Sequence, residues 1–134
     1  MVTRLALGAG FLLPVADRMG ILGPNGTTGV AWGDWQHFET YAHTLMPFLS
    51  DGLNRISATV ATFLEVIFGL CLIIGFKTQL TAICGAILTC TFGICMLFTQ
   101  GIAAPFNYPV FVFVGACLLL ASIETPKWSI DAIC

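Results

Sequence analysis

An all-α membrane bundle is the fold class this sequence predicts, and three observations predict it. Of 134 residues, 57% are hydrophobic and 9% are charged, where a soluble domain carries roughly 25% charged residues. The mean hydropathy is +0.93. Residues 56–76, ISATVATFLEVIFGLCLIIGF, form an apolar run with Glu65 as its only charge, and about 20 such residues make a helix roughly 30 Å long, the thickness of a bilayer's hydrocarbon core. A soluble fold has too few polar residues here to cover its surface. The expectation is a single transmembrane domain over residues 1–134: an integral membrane four-helix bundle with an extra interfacial helix in its first extracytoplasmic loop.

The first span is expected at residues 2–22. Its apolar core runs from Leu5 to Ala16, with Arg4 at one end and Asp17 and Arg18 near the other. Long arginine side chains reach the headgroups from such positions. Pro14 is expected to kink this helix. The competing reading is a secretory signal peptide, with MVTR as its n-region and cleavage after Ala16. Pro14 fits the small-residue cleavage rule poorly, and three further spans follow.

Residues 23–55 are read as a loop outside the membrane. GPNGTTG is a cluster of turn formers, within which Asn25-Gly26-Thr27 matches a glycosylation sequon that matters only in a eukaryotic secretory route. Beyond it, Trp32, Trp35, Phe38, Ala42, Leu45 and Leu49 recur at spacings of three and four, the signature of one apolar helical stripe. Two tryptophans on that stripe suit the headgroup boundary, so residues 32–46 are read as an interfacial helix ended by Pro47. His37, Glu39 and His43 lie mostly off the stripe. Glu39 and His43 can share a face, but His37 and His43 are six apart and do not, so a solvated polar face is preferred to a metal or haem site and no metal is assigned.

The second span is the 56–76 run. Lys77, Thr78 and Gln79 make a short polar turn, so the third span, residues 80–98, returns antiparallel. It contains no charge. Gly85, Thr89 and Gly93 recur at four-residue steps, and small residues at that spacing let helices approach closely in lipid. Gly69, Gly75, Gly85 and Gly93 are accordingly the expected helix-packing positions. After a break at QGIAAPFNYP, residues 108–123 make a short fourth span that tilt or local thinning would accommodate. Glu124, Thr125, Pro126 and Lys127 end it, leaving a tail to Cys134 too small to fold alone.

Four spans place both termini on one side. Arg4, Lys77 and Lys127 then face Arg18 and Arg55 across the bilayer, which favours cytoplasmic termini. The net charge of −2 and the scattered cations give no footprint for nucleic acid. Six cysteines, at 71, 84, 90, 95, 117 and 134, form no CxxC and no Cys/His ligand spacing. The five that lie inside apolar runs read as small packing hydrophobes, with neither a disulfide framework nor a zinc site expected.

Glu65 is the candidate functional residue. A carboxylate at mid-bilayer depth is costly unless it is paired, protonated or close to water. It would act as a protonatable catalytic group, or else fix the register of the bundle. Arg4 is its expected partner, with Arg18 as the alternative. Asp17, Arg18 and Arg55 are expected to meet at the outer end, in a partly exposed ion pair worth about 1 kcal/mol or less.

The opening Arg4-Leu5-Ala6-Leu7-Gly8, the pattern Glu65-x3-Gly69-x2-Leu72-x2-Gly75 followed by Lys77-Thr78, and four short spans in one small chain together resemble the DoxX family of small bacterial membrane proteins. The likeness covers nearly the whole chain, through short apolar motifs. The extended loop after Asp17-Arg18-Met19-Gly20 departs from the brief connection of many members. The resemblance implies a multi-pass protein of the bacterial inner membrane, in which Arg4, Glu65, Gly69 and Gly75 match the family pattern. It also implies a link to quinone or catechol stress and to membrane redox partners.

Two functions follow as expectations. One is an accessory membrane subunit of a quinone-linked redox system, with quinone as substrate or ligand and Glu65 moving protons. No haem ligand pair, iron–sulfur cysteine set, Rossmann fingerprint or redox CxxC is visible, so electrons would come from a partner subunit. The other is a non-enzymatic small-molecule carrier or membrane scaffold, in which four short helices would enclose enough volume only as a homo-oligomer and Glu65 would be a gating or structural pair.

Overall fold

Ser50 opens the longest helix by accepting a hydrogen bond from the Leu53 amide, and Gly75 closes it in the left-handed region at φ 78°. Between those signals, Asp51–Ile74 has no proline to interrupt it. The computed structural model describes residues 1–107, 109–123 and 129–133, and within them the ordered elements are helical. They are α1 (Val2–Arg18), α2 (Trp35–Leu45), α3 (Asp51–Ile74), α4 (Thr78–Gln100), α5 (Ala104–Asn107) and α6 (Val110–Ala121), followed by a 3₁₀ turn at Ile130–Ala132. Tyr108, the Glu124 to Lys127 stop and Cys134, all used in the expectations above, lie outside the described residues.

The elements differ from the expected spans in informative ways. The first helix stops at Arg18, because Gly20 takes a positive φ and turns the chain into the loop. It runs through Pro14 without interruption. The second begins at Asp51, five residues earlier than hydropathy suggests, since a Ser50 cap and Asp51 in the first turn favour helix regardless of apolarity. The fourth shrinks to 12 residues, and the short α5 takes up part of the preceding break. By length and composition α3 and α4 can each cross a membrane. The 17 residues of α1 and 12 of α6 are shorter, spanning about 25 and 18 Å.

The long helices alternate in direction. The Gln79 side chain at the start of α4 donates to the Ile123 carbonyl just past the end of α6, at 2.9 Å. Arg4 at the start of α1 lies against Gly75 at the end of α3. α1 packs along α3 and α4 along α6, and a core of Leu7, Phe11, Leu72, Ala82, Ala86, Cys117 and Leu120 joins the pairs. Phe11 is central to it, meeting Phe68 and Phe113 edge-on.

Three of the four expected packing glycines sit where helices meet. A Cβ on Gly69 would lie 2.6 Å from Leu12 and 3.1 Å from the Gly8 carbonyl, so this glycine brings α1 and α3 together. Gly85 receives the tip of Phe11, and Gly93 receives Phe111 and Val110. Gly75 differs from these three. It is the left-handed cap of α3, and the space a side chain would need is filled by Arg4 and Ser129.

The tail that follows α6 is built into the fold. Asp131 accepts the Lys77 and Thr78 amides, each at 2.7 Å, and its own amide donates to the Gly75 carbonyl at 3.0 Å. Those two amides would otherwise be unsatisfied donors at the N-terminus of α4, where Lys77 sits at φ 44° and makes no side-chain cap.

Candidate functional site

Glu65 sits on the face of α3 that turns toward α1, one turn below Thr62. Its partner is Arg18. One terminal nitrogen of the guanidinium binds Glu65 Oε2 and also donates to Thr62 Oγ1 at 2.9 Å, while the other reaches Oε1 at 3.3 Å. Arg18 is 4% exposed and Glu65 is 6% exposed. This is a two-pronged pair of the kind the planar guanidinium favours, removed from solvent on both sides.

The expected pairing of Glu65 with Arg4 is therefore corrected. Arg4 is buried at the opposite end, against Gly75 and Ser129, ten residues and about 15 Å along α3 from Glu65. The reason lies in helix geometry. Side chains tilt toward the N-terminus of their own helix, so Arg18 leans back along α1 toward Glu65 while Arg4 leans away from it, toward the Gly75 end of α3.

The expected outer cluster of Asp17, Arg18 and Arg55 is also corrected, for each goes elsewhere. Arg55 pairs with Glu39 at 2.8 Å and links α3 to the solvent side of α2. Asp17, though buried, makes no ion pair with Arg55. Its Oδ2 accepts the Ala31 amide at 2.8 Å, and its Oδ1 accepts those of Trp32 and Gly33 at 3.2 and 2.8 Å. One carboxylate thus folds the whole turn-rich segment back onto the end of α1. Gly33 permits the bend at φ 79°, with the Asn25 backbone filling the space where a Cβ would stand.

That fold-back makes a lid. The Trp32 ring centre comes within 5.2 Å of the Arg18 guanidinium, and the Phe38 ring centre within 3.8 Å. Phe38 and Ala42 pack on Ala58 of α3, with Trp32, Trp35 and Met46 around them. The apolar stripe of α2 thus rests on the protein, over the ion pair. Asp34 caps α2 by accepting the His37 amide at 2.8 Å and meets the His37 ring; these hydrogen bonds from His37 hold its carboxyl below the usual range. His43 faces Asp51 at 3.7 Å, so the two histidines serve separate contacts.

Thr62, Phe38 and Trp32 belong to this site but not to the expected set. A signal existed for Thr62: Asn54, Ala58, Thr62 and Glu65 follow spacings of four, four and three, one face of a helix, and all four are buried. Among the described residues Arg18 Nε and Asn54 Oδ1 are buried without hydrogen-bond partners.

Fold and site define a class: an all-helical bundle holding a buried arginine–carboxylate pair beneath an aromatic lid. Compared with family models, with curated proteins and with solved structures, the chain has no match in any of the three.

Proposed function

We propose that this is an integral membrane protein in which α1, α3, α4 and α6 cross the bilayer, and that it serves as the accessory membrane subunit of a quinone-linked redox system. In support of the membrane reading, α3, α4 and α6 turn large apolar side chains outward, among them Phe63, Ile67, Ile87, Ile94, Phe98 and Leu119. Soluble monomers seldom expose so continuous an apolar surface. The likeness to the DoxX family is part of the same proposal, as are a bacterial inner-membrane location and cytoplasmic termini.

The observation that carries the redox reading is the Arg18–Glu65 pair under Phe38 and Trp32. Reducing a quinone requires a proton donor and a group that stabilises charge on the ring oxygens. Glu65 is the proton carrier and Arg18 the stabilising cation. Electrons come from a redox partner subunit. Carboxyl infrared difference spectroscopy in nanodiscs, wild type against Glu65→Gln, tests this with decylubiquinone. A Glu65 band that shifts on addition supports it, and an indifferent band overturns it.

A second reading is a small-molecule carrier or scaffold in which the pair is a gate or a register device. It is favoured by the two-pronged, roofed geometry of Arg18, which describes a closed state. Intact folding with lost function in Glu65→Gln argues for proton chemistry. Failure of the same variant to assemble argues for the structural role.

A further inference from the structure

We propose that the Arg18 site binds a small planar organic monoanion, and that each anion enters together with one proton, which Glu65 takes up. The inference rests on reading the pair as buried within a membrane bundle, and it does not require the anion to be a reduced quinone.

The argument begins with charge. Arg18 and Glu65 neutralise one another in a place closed to solvent, and a buried guanidinium left without a counter-charge is strongly unfavourable. Glu65 therefore gains a proton only when another anion takes its place on Arg18. In that exchange the ligand's oxyanion replaces the Glu65 carboxylate at the guanidinium, and Glu65 forms an O–H bond with a proton from solvent. The site keeps its net charge.

Among the described residues no neighbouring group relieves this constraint. Asp17 directs both oxygens to the amides of Ala31, Trp32 and Gly33. On α2, Glu39 pairs with Arg55 of α3, while His37 and His43 face Asp34 and Asp51. α4 and α6 carry no charged residue, and cysteines are their titratable groups. Thr62 can follow either state, because its hydroxyl accepts from Arg18 and donates to the Ala58 carbonyl.

The shape of the ligand follows from what touches Arg18. A flat ring already lies over the guanidinium, that of Phe38, with Trp32 beside it. A ligand ring that displaces Phe38 recovers the same cation–π contact. Arg18 also retains an Nε–H with no hydrogen-bond acceptor among the described residues, a donor that an oxyanion can use. Phe38 belongs to a lid secured by Asp17, by the Arg55–Glu39 pair and by packing on Ala58, so access requires that α2 lift while α1, α3, α4 and α6 stay in place.

The test uses the full chain in nanodiscs with benzoate as probe, following tryptophan fluorescence and proton uptake in weak buffer near neutral pH. Wild type is expected to bind saturably and to take up a proton for each benzoate. Phe38→Ala, which opens room for the ring, is expected to bind about tenfold tighter. Glu65→Gln is expected to bind at least as tightly with no proton uptake. The double variant Arg18→Met/Glu65→Leu, which leaves no lone buried charge, is expected not to bind. Absence of saturable binding in both wild type and Phe38→Ala overturns the proposal, as does wild-type binding without proton uptake or undiminished binding in the double variant. Benzoate-linked proton uptake together with a Glu65 band indifferent to decylubiquinone would remove the quinone reading and leave this one standing.

Discussion

The ring centre of Phe38 lies 3.8 Å from the guanidinium of Arg18, while the terminal nitrogens of that same group hold Glu65. Lid and ion pair therefore meet in one side chain. Removing one member of a buried pair costs about 3–5 kcal/mol, because the other charge stays behind, whereas replacing both with apolar groups is often neutral. Arg18→Met and Glu65→Leu are each expected to lower stability by about 3 kcal/mol or more, and the double variant is expected to recover most of it. Unfolding in mixed dodecyl sulfate micelles measures all three. Additive losses in the double variant would contradict a coupled pair.

Asp17 acts through backbone amides. Hydrogen bonds to a charged acceptor contribute about 1.5–3 kcal/mol each, and three amides share this carboxylate. Asn at this position keeps the shape but loses the charge and one accepting oxygen. Asp17→Asn is expected to speed amide exchange at Ala31, Trp32 and Gly33 about tenfold or more, with exchange in α4 unchanged. Equal acceleration throughout the bundle would mean that Asp17 supports global stability and does not specifically anchor the loop.

The helical segments and the face of Trp35, Phe38, Ala42 and Leu45 were legible because hydropathy and three-to-four spacing are local properties, although the helix expected over 32–46 is Trp35–Leu45, with Trp32 before it and Leu49 beyond it. Glu65 stood out because a lone charge in an apolar run is anomalous. Its partner was harder to read. Arg4 and Arg18 lie at opposite ends of one helix, and only the tilt of side chains toward the helix N-terminus separates the one that leans toward Glu65 from the one that leans away from it. The roles of Asp17, expected in an ion pair, and of Asp131 were not legible. Both bind backbone amides of distant segments, and every residue except proline offers such a donor, so no residue type in the sequence marks the partner.

Glycine-mediated helix contact predicts a contrast between two substitutions of the same kind. A Cβ on Gly69 meets Leu12 at 2.6 Å, whereas Gly115 of α6 has no atom within 4 Å of its would-be Cβ. Overpacking costs about 1–3 kcal/mol, while Ala in an open helical site gains up to about 1 kcal/mol over Gly. Gly69→Ala is expected to be destabilising, and Gly115→Ala neutral or stabilising, in the same micelle unfolding measurement. Equal effects would show that α1 and α3 are not in close contact at Gly69.

Asp131 links the tail to the start of α4, and its titration reports that link. Burial pushes its carboxyl up, but the amides of Thr78 and Lys77 and the charge of Arg4 outweigh this and hold it below its ordinary value of 3.8. A carboxyl with a lowered value in the fold stabilises fully above its unfolded value and loses that contribution as pH falls through the folded one. The tail contact is thus expected to be constant from neutral pH down to the ordinary carboxylate range, and to weaken only below it. Amide proton shifts of Lys77 and Thr78 in solution NMR are expected to move together on one curve with a midpoint below 3.8, and to lose that transition in Asp131→Asn. Separate midpoints, or a transition that survives the substitution, would show that another group caps α4.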